Sequence, residues 1–443
     1  MVGSRITTRA SAVNARWHAR LAALLAASKK YERAVAHFRR ALSGLEEATA
    51  ANENPEDETQ WLEWRVRWQF ELAAIECKRG YHSRAVELYE TIMQTNPGCV
   101  EAQVNLAAQL AITDANRLEE ALGLCMQALA LNPNLAEAHY NRNVLLRRMG
   151  RQSEAVRVYW NYLIQEIGAD VVKKVLPAKA ELLYGDGELR ADTFGVDNGG
   201  HLMYNSVCEN NGFVVLCVKW GTKYGAEYVN KLYNSVMRHC GGLRLNLVCL
   251  TDNIDGIDQH DNLITMQLYS GWKGWWNKCQ LFSDTIMSKL RALGHSRCLY
   301  LDLDIVIVGN LADLLSWSPP PGVLGLLKTD HMVNEQRCGG YNSSIMAWRI
   351  DNDEHDAPLL VLHDFLHAHY IAISKYIYKF DHWLEMASAG TCFLQNTFPD
   401  QIVEYCSLDK KAPIPPPNAT IVCFPLVPKP HEATAPWIAK HWV

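Results

Sequence analysis

The sequence predicts two structural classes in tandem: an all-α region of stacked helical repeats, then an α/β domain on a mixed, largely parallel sheet. Three observations predict it. A set of small, aromatic and apolar residues at i, i+4 and i+7 recurs between residues 31 and 165, the pattern of one buried helix face. From residue 213 onward, short runs rich in β-branched residues alternate with amphipathic segments, as strand–helix–strand crossovers require. Between the two, residues 168–211 lose both patterns and gather Gly and Asp, which break regular structure. The expected division is 1–167 helical repeats, 168–211 linker and 212–443 α/β domain.

Composition bounds the function. The chain has 443 residues, enough for two or three domains. A formal net charge of −5 lacks the basic excess that nucleic-acid binding requires. No apolar run reaches the length of a membrane span. The 13 cysteines follow neither zinc nor disulfide spacing, so they read as reduced thiols of a cytoplasmic protein.

The repeat region begins with a choice. Residues 1–31 carry Arg5, Arg9, Arg16 and Arg20 and no acid, a composition shared with transit peptides. The helical pattern runs unbroken into the next segment, which predicts a first repeat helix instead. The anchors that follow are Ala34/Phe38/Ala41, Ala85/Tyr89/Ile92, Ala121/Cys125/Ala128 and Ala155/Tyr159/Tyr162. Ala85 to Ala121 is 36 residues and Ala121 to Ala155 is 34. Ala34 to Ala85 is longer, and the acidic stretch Glu46–Gln60 is expected to form the extra loop. Asn96-Pro97 and Asn132-Pro133 close two of the units. These anchors and this period resemble tetratricopeptide repeats. The resemblance implies four helix pairs stacked into a short solenoid with a concave face. Two readings stay open: a surface that binds a peptide or protein partner, and a packing extension of the second domain.

Phe213–Val218 is a strand, Lys219–Tyr224 a turn, and Ala226–Cys240 a helix with Tyr228, Leu232 and Val236 on one face. Leu245–Leu250 is the next strand, ending in Thr251-Asp252-Asn253. Ligands of such sheets sit at the carboxyl ends of the strands. That makes Gly221, Thr222, Tyr224 and Asp252 candidates for holding a nucleobase and ribose. The run Gly271–Lys278 leads into a helix expected through Leu290, and Lys278 offers a cation to a diphosphate. Cys298–Leu311 reads as one strand buried on both faces, interrupted by Asp302 and Asp304. Residues two apart on a strand leave it on one face. Two carboxylates there are costly to bury unpaired. A hard dication, Mg²⁺ or Mn²⁺, resolves that cost and leaves positions open for a phosphorylated ligand. The alternative is a strand end whose aspartates cap nearby loops. A short strand over Val323–Leu327 and a helix from Pro358 to His369 complete the pattern.

From Phe213 to the C-terminus the chain resembles GT-A glycosyltransferases in the style of the family 8 retaining enzymes, whose DxD motif follows an apolar strand. The resemblance implies that Asp302 and Asp304 hold Mn²⁺ or Mg²⁺ on the diphosphate of a UDP-sugar. It implies that the turn Trp220, Gly221, Thr222 and Tyr224 receives the uridine, with Lys278 on the donor. Gly339–Arg349 is similar to the family's F-N-S-G-[VI]-M segment, which places Asn342 on the sugar and puts Ser344 where glycine is usual. Phe380–Glu385 is similar to the family's D-Q segment beside the reacting sugar. Asp381 matches and His382 replaces Gln. A histidine there either hydrogen-bonds sugar hydroxyls or serves as the general base of an inverting reaction. Near the end the family carries His-Gly shortly before Lys-Pro. This chain keeps Lys429-Pro430, which implies a diphosphate contact from Lys429, but has Pro425-Leu426 in place of His-Gly. His431 is the substitute candidate for the metal.

The resulting expectation is a metal-dependent, hexosyltransferase-like enzyme that moves a sugar from a UDP-linked donor to an acceptor, a protein presented by the repeats being one candidate. The alternative is a degenerate nucleotide-sugar-binding scaffold that works through its repeats. A nucleotidyltransferase would want a Gly- and Arg-rich phosphate loop where Lys219–Tyr224 stands.

Overall fold

A computed structural model describes residues 2–50, 55–171, 212–269, 271–330, 332–333, 339–351, 353–388 and 390–443. The chain divides into two compact units, Met1–Leu145 and Leu146–Val443.

The first unit is helical: α1 (Val2–Ala27), α2 (Tyr31–Ala50), α3 (Pro55–Lys78), α4 (His82–Thr95), α5 (Val100–Thr113), α6 (Leu118–Leu131) and most of α7 (Ala136–Arg148). The anchor residues of α2, α4 and α6 are all buried, because each lies on the stripe that faces a neighbouring helix. Asn96 and Asn132 end α4 and α6, donating their N–H groups to the carbonyls of Ile92 and Ala128. The prolines that follow have no N–H with which to continue the helix. The acidic stretch expected as a loop is largely helical. α2 runs to Ala50, and α3 opens at Pro55, a residue whose missing N–H costs nothing in a first turn. Phe38, Leu45, Trp61, Trp68 and Leu72 fill the core that these longer helices enclose.

The second unit begins with the end of α7 and with α8 (Gln152–Ile167). Tyr159, Trp160 and Leu163 of α8 lie in the same core as Val214, Leu216 and Trp383, so the last helix of the repeat pattern packs with the α/β fold. Of the expected linker, residues 172–211 lie outside the described residues.

The strands are β1 (Phe213–Lys219), β2 (Asn246–Thr251), β3 (Leu263–Gln267), β4 (Arg297–Leu301), β5 (Val306–Ile307), β6 (Leu324–Lys328), β7 (Tyr341–Arg349), β8 (Thr391–Phe393), β9 (Ile402–Glu404) and β10 (Ile421–Cys423). Seven form a mixed sheet in the order β3-β2-β1-β4-β7-β6-β8. β3, β2, β1 and β4 run parallel, whereas β7 is antiparallel to β4 and β6. β5, β10 and β9 form a smaller sheet. Along β1, Val214, Leu216 and Val218 face one core while Phe213, Val215 and Cys217 face the other, the period of two that a doubly buried strand requires.

The segment expected as one strand from Cys298 to Leu311 is two. β4 stops at Leu301, residues 302–305 turn, and Val306–Ile307 enter the smaller sheet against β10. Continuing the ladder would drive both carboxylates into one apolar core. Ending it at Leu301 leaves them at the strand's carboxyl edge, where polar partners converge. The helix expected after Lys278 is likewise two pieces. A 3₁₀ stretch, Gly274–Phe282, precedes a helix over Asp284–Ala292 that Ser283 caps by accepting from the Ile286 N–H. The helix expected over Pro358–His369 lies within Asp353–Tyr376, with non-helical backbone at His369.

Candidate functional site

Two lysine–aspartate pairs sit just past β4. The Asp302 N–H donates to the Ser344 carbonyl of β7 at 2.9 Å, which fixes the turn against the sheet. The Asp302 carboxylate accepts from Lys278 Nζ at 2.8 and 3.0 Å and from the Tyr300 hydroxyl at 2.5 Å. Lys278, almost wholly buried on its 3₁₀ turn, also donates to the Ser343 Oγ and carbonyl at 3.1 and 3.2 Å. The Ser343 N–H donates to Asp381 Oδ1 at 2.9 Å. Asp302, Lys278, Ser343 and Asp381 are thus linked in one network. Asn342 Oδ1 accepts from the Ser344 N–H at 2.9 Å, so its side chain braces the same strand end. Burial raises the Asp302 pKa and the charge of Asp304 adds to this, while Lys278 and the Tyr300 hydroxyl pull it down. Burial also lifts the Tyr300 phenol, with the Asp302 charge next in weight.

The second pair is built by the C-terminal segment. Asp304 Oδ2 accepts from Lys429 Nζ at 2.6 Å and from the Tyr224 hydroxyl at 2.7 Å. Lys429 Nζ donates as well to the Phe424 carbonyl at 2.7 Å and the Pro425 carbonyl at 3.4 Å. Its ammonium therefore stands in a ring of oxygens. Tyr224 lies against Tyr228, ring centroids 4.6 Å apart, and the Tyr228 hydroxyl is 2.5 Å from His431 Nδ1. Burial first, and the Asp304 charge second, push the Tyr228 phenol up to about 12 and raise Tyr224 further.

The turn after β1 is more open. The Gly221 N–H donates to Asp252 Oδ2 at 2.8 Å, joining the ends of β1 and β2. Gly221 holds φ +58°, a left-handed conformation in which a side chain is strained. Thr222 is exposed, and Trp220 leans half-buried on the sheet core.

Asp381 and His382 open the helix Phe380–Ala387. Asp381 is partly exposed and joins the network, while the His382 ring is fully enclosed by the packed helix. That helix is anchored by a buried ion pair: Arg147 Nη2 lies 2.9 Å from Glu385 Oε2, and the two side chains are 3% and 2% exposed. Glu385 Oε1 accepts from the Tyr341 N–H at 2.8 Å, and Arg147 Nη1 donates to the Gly339 carbonyl at 3.2 Å. Arg147 thereby ties the Asp381 helix to the start of the strand that carries Asn342.

The expected metal set meets a different arrangement. Both oxygens of Asp302 accept from Lys278, and Asp304 accepts from Lys429 and Tyr224. His431 turns to Tyr228. Pro425 offers only a carbonyl, which accepts from Lys429. Among the described residues no three of His, Cys, Asp and Glu converge as ligands. This donor set does not fit Mn²⁺ or Mg²⁺, because two ammonium groups already neutralise the two carboxylates. Tyr300, Ser343, Tyr228, Arg147 and Glu385 were not anticipated. Tyr300 carried a signal, lying two residues before Asp302 and so on the same face of the strand's alternation, and Ser343 and Glu385 fall within the two segments singled out around Asn342 and Asp381.

A tetratricopeptide repeat model matches residues 124–157. No curated protein matches the chain. An active-site mutant of LgtC is similar at 12% identity and a TM-score of 0.36, over 51% of this chain and 93% of that one. Galactosyltransferase LgtC in complex with donor and acceptor sugar analogs follows at 13% identity and 0.33, over 51% and 93%. A thermophilic tetratricopeptide-repeat protein of Thermus thermophilus is similar at 24% identity and 0.25, over 39% and 83%. The residues that the repeat model matches fall within the helical region, from α6 to α8. Among the described residues no helix is long and apolar enough to cross a membrane.

Proposed function

We propose that the second unit is a glycosyltransferase that takes a nucleotide-sugar donor, UDP-linked, in the cytoplasm. The observation that supports this reading is the gathering of Asp302, Asp304, Lys278, Lys429 and Asp381 at one strand edge. Trp220, Gly221, Thr222, Tyr224 and Asp252 would receive the uridine and ribose. Lys278 and Lys429 would face the diphosphate, and Asn342 and Asp381 the sugar. In the transfer, the bond from the anomeric carbon to the diphosphate oxygen breaks and its electron pair stays on the diphosphate. The acceptor oxygen bonds to that carbon, and its proton passes to the departing diphosphate. Fixed positive charge beside the leaving oxygen stabilises the transition state more than the ground state. The repeats would present a peptide or protein acceptor through the solenoid surface.

The buried pairing of each aspartate with a lysine also favours a second reading, a donor-binding scaffold without turnover. Incubation with UDP-sugars, followed by chromatography of released UDP, tests the choice. Steady UDP release supports the transferase. Binding of UDP with no release supports the scaffold. Absence of UDP binding refutes both.

A further inference from the structure

The misfit between this site and a dication itself points to a mechanism of donor binding. We infer that the ammonium groups of Lys278 and Lys429 take the place of a divalent cation, so that this chain binds a nucleoside diphosphate without metal. The inference rests on the nucleotide-sugar reading above and specifies its electrostatics.

Three observations carry it. First, the charges of Asp302 and Asp304 are matched one for one by Lys278 and Lys429, at 2.8 and 2.6 Å. A dication held by two aspartates would give the same sum, and one added here would stand beside two ammonium groups already at that strand edge. Second, Lys429 Nζ is ringed by the Asp304 carboxylate and the Phe424 and Pro425 carbonyls. An oxygen ring of that kind is what a hard cation seeks. Here it is filled by a side chain tethered to the fold. Third, His431, the candidate histidine ligand, is held 2.5 Å from the Tyr228 hydroxyl, and Pro425 offers only a carbonyl, which accepts from Lys429. The aspartates then have a different task from metal ligation. They hold two lysines in position, and they release them to an incoming phosphate. An ammonium has three N–H donors and no acceptor, so each donor given to phosphate is one withdrawn from a carboxylate.

This exchange reverses the sign of the expected mutational effect. In a metal site, Asp304→Asn removes a ligand and abolishes binding. In a lysine site, it removes the competitor for Lys429 and frees a cation for the diphosphate.

Calorimetric titration of UDP into the full chain, in EDTA and separately in Mn²⁺, decides between them. Wild type is expected to bind UDP in EDTA with an affinity that Mn²⁺ leaves within about twofold, well under the tenfold that 1.4 kcal/mol represents. Lys429→Met is expected to weaken UDP by about tenfold or more, the loss of one charge-assisted hydrogen bond. Asp304→Asn is expected to bind UDP more tightly than wild type in EDTA, and it keeps the test decisive if the lysine variant fails to fold. Binding that appears only with Mn²⁺ and disappears in Asp304→Asn overturns the inference and leaves the nucleotide-sugar reading standing. Binding in neither buffer overturns both.

Discussion

Helices α4 and α8 carry the same small–aromatic–apolar anchors and lie in different cores. In α4 the buried residues are Ala85, Val86, Tyr89 and Ile92, a single stripe of the kind a stacked repeat presents to its neighbours. In α8, Ala155, Val156, Val158, Tyr159, Trp160 and Leu163 are all buried, which encloses far more of the circumference. Trp160 and Leu163 reach the core of the α/β fold, and Tyr162 stacks on Tyr376 with centroids 5.2 Å apart and planes at 15°. A shared period therefore says that a helix has a face to bury. It does not say what buries it. The second apolar set, at Val158 and Trp160, distinguishes a helix that has joined a sheet's core from one that only stacks.

The sharpest way to break this comparison is to empty the larger side chain. Trp160→Ala should destabilise the chain by about 3–5 kcal/mol, the range for deleting a fully buried aromatic. Amide exchange should report the loss in β1, at Val214 and Leu216, because those residues share its core. Ile92→Ala should cost about 2–5 kcal/mol. Its loss of protection should fall on α4 and the adjoining α5, and β1 should be unmoved. If Trp160→Ala instead opens α4 and leaves β1 protected, α8 belongs with the repeats and the distinction drawn here fails.

The same contrast explains what could be read in advance. The strand expected over Phe213–Val218 is observed over Phe213–Lys219, and the helix expected over Ala226–Cys240 over Ala226–His239. Both were legible because their burial periods are written locally. The break after Leu301 was not. The alternation of CLYLDLDIVIV suits a continuous strand equally well, and only the ladder to β10, far along the chain, decides where it ends. The candidate site divides the same way. Asp302, Asp304, Lys278, Lys429 and Asp381 stood out by type and motif. That Lys429 closes on Asp304 across 125 residues, leaving the pair self-neutralised, is a tertiary fact with no local trace. Arg147 is the extreme case: it lies in no motif, yet its ion pair with Glu385 anchors the helix that carries Asp381.

The smallest effect sought concerns the polar flank of α8. The Tyr376 hydroxyl donates to Glu166 Oε1 at 2.6 Å, and Lys375 lies 3.1 Å from the same oxygen. Burial raises the Tyr376 pKa above its ordinary value of 10.0, the bond to Glu166 raises it further, and Lys375 opposes both. The folded chain thus holds this proton more tightly than the unfolded one. The stabilisation is complete below the ordinary phenol value and is lost as pH rises from there through the raised one. Ultraviolet titration of wild type against Tyr376→Phe isolates this phenol. In Glu166→Gln the negative neighbour is gone, so the phenol should ionise at lower pH than in wild type. It should still ionise above the ordinary value, because burial, the largest cause, is untouched. An unchanged titration would mean that Glu166 does not hold Tyr376 in solution. The outer flank of α8 would then be as loose as that of α4, and only the apolar set at Val158, Trp160 and Leu163 would distinguish the two helices.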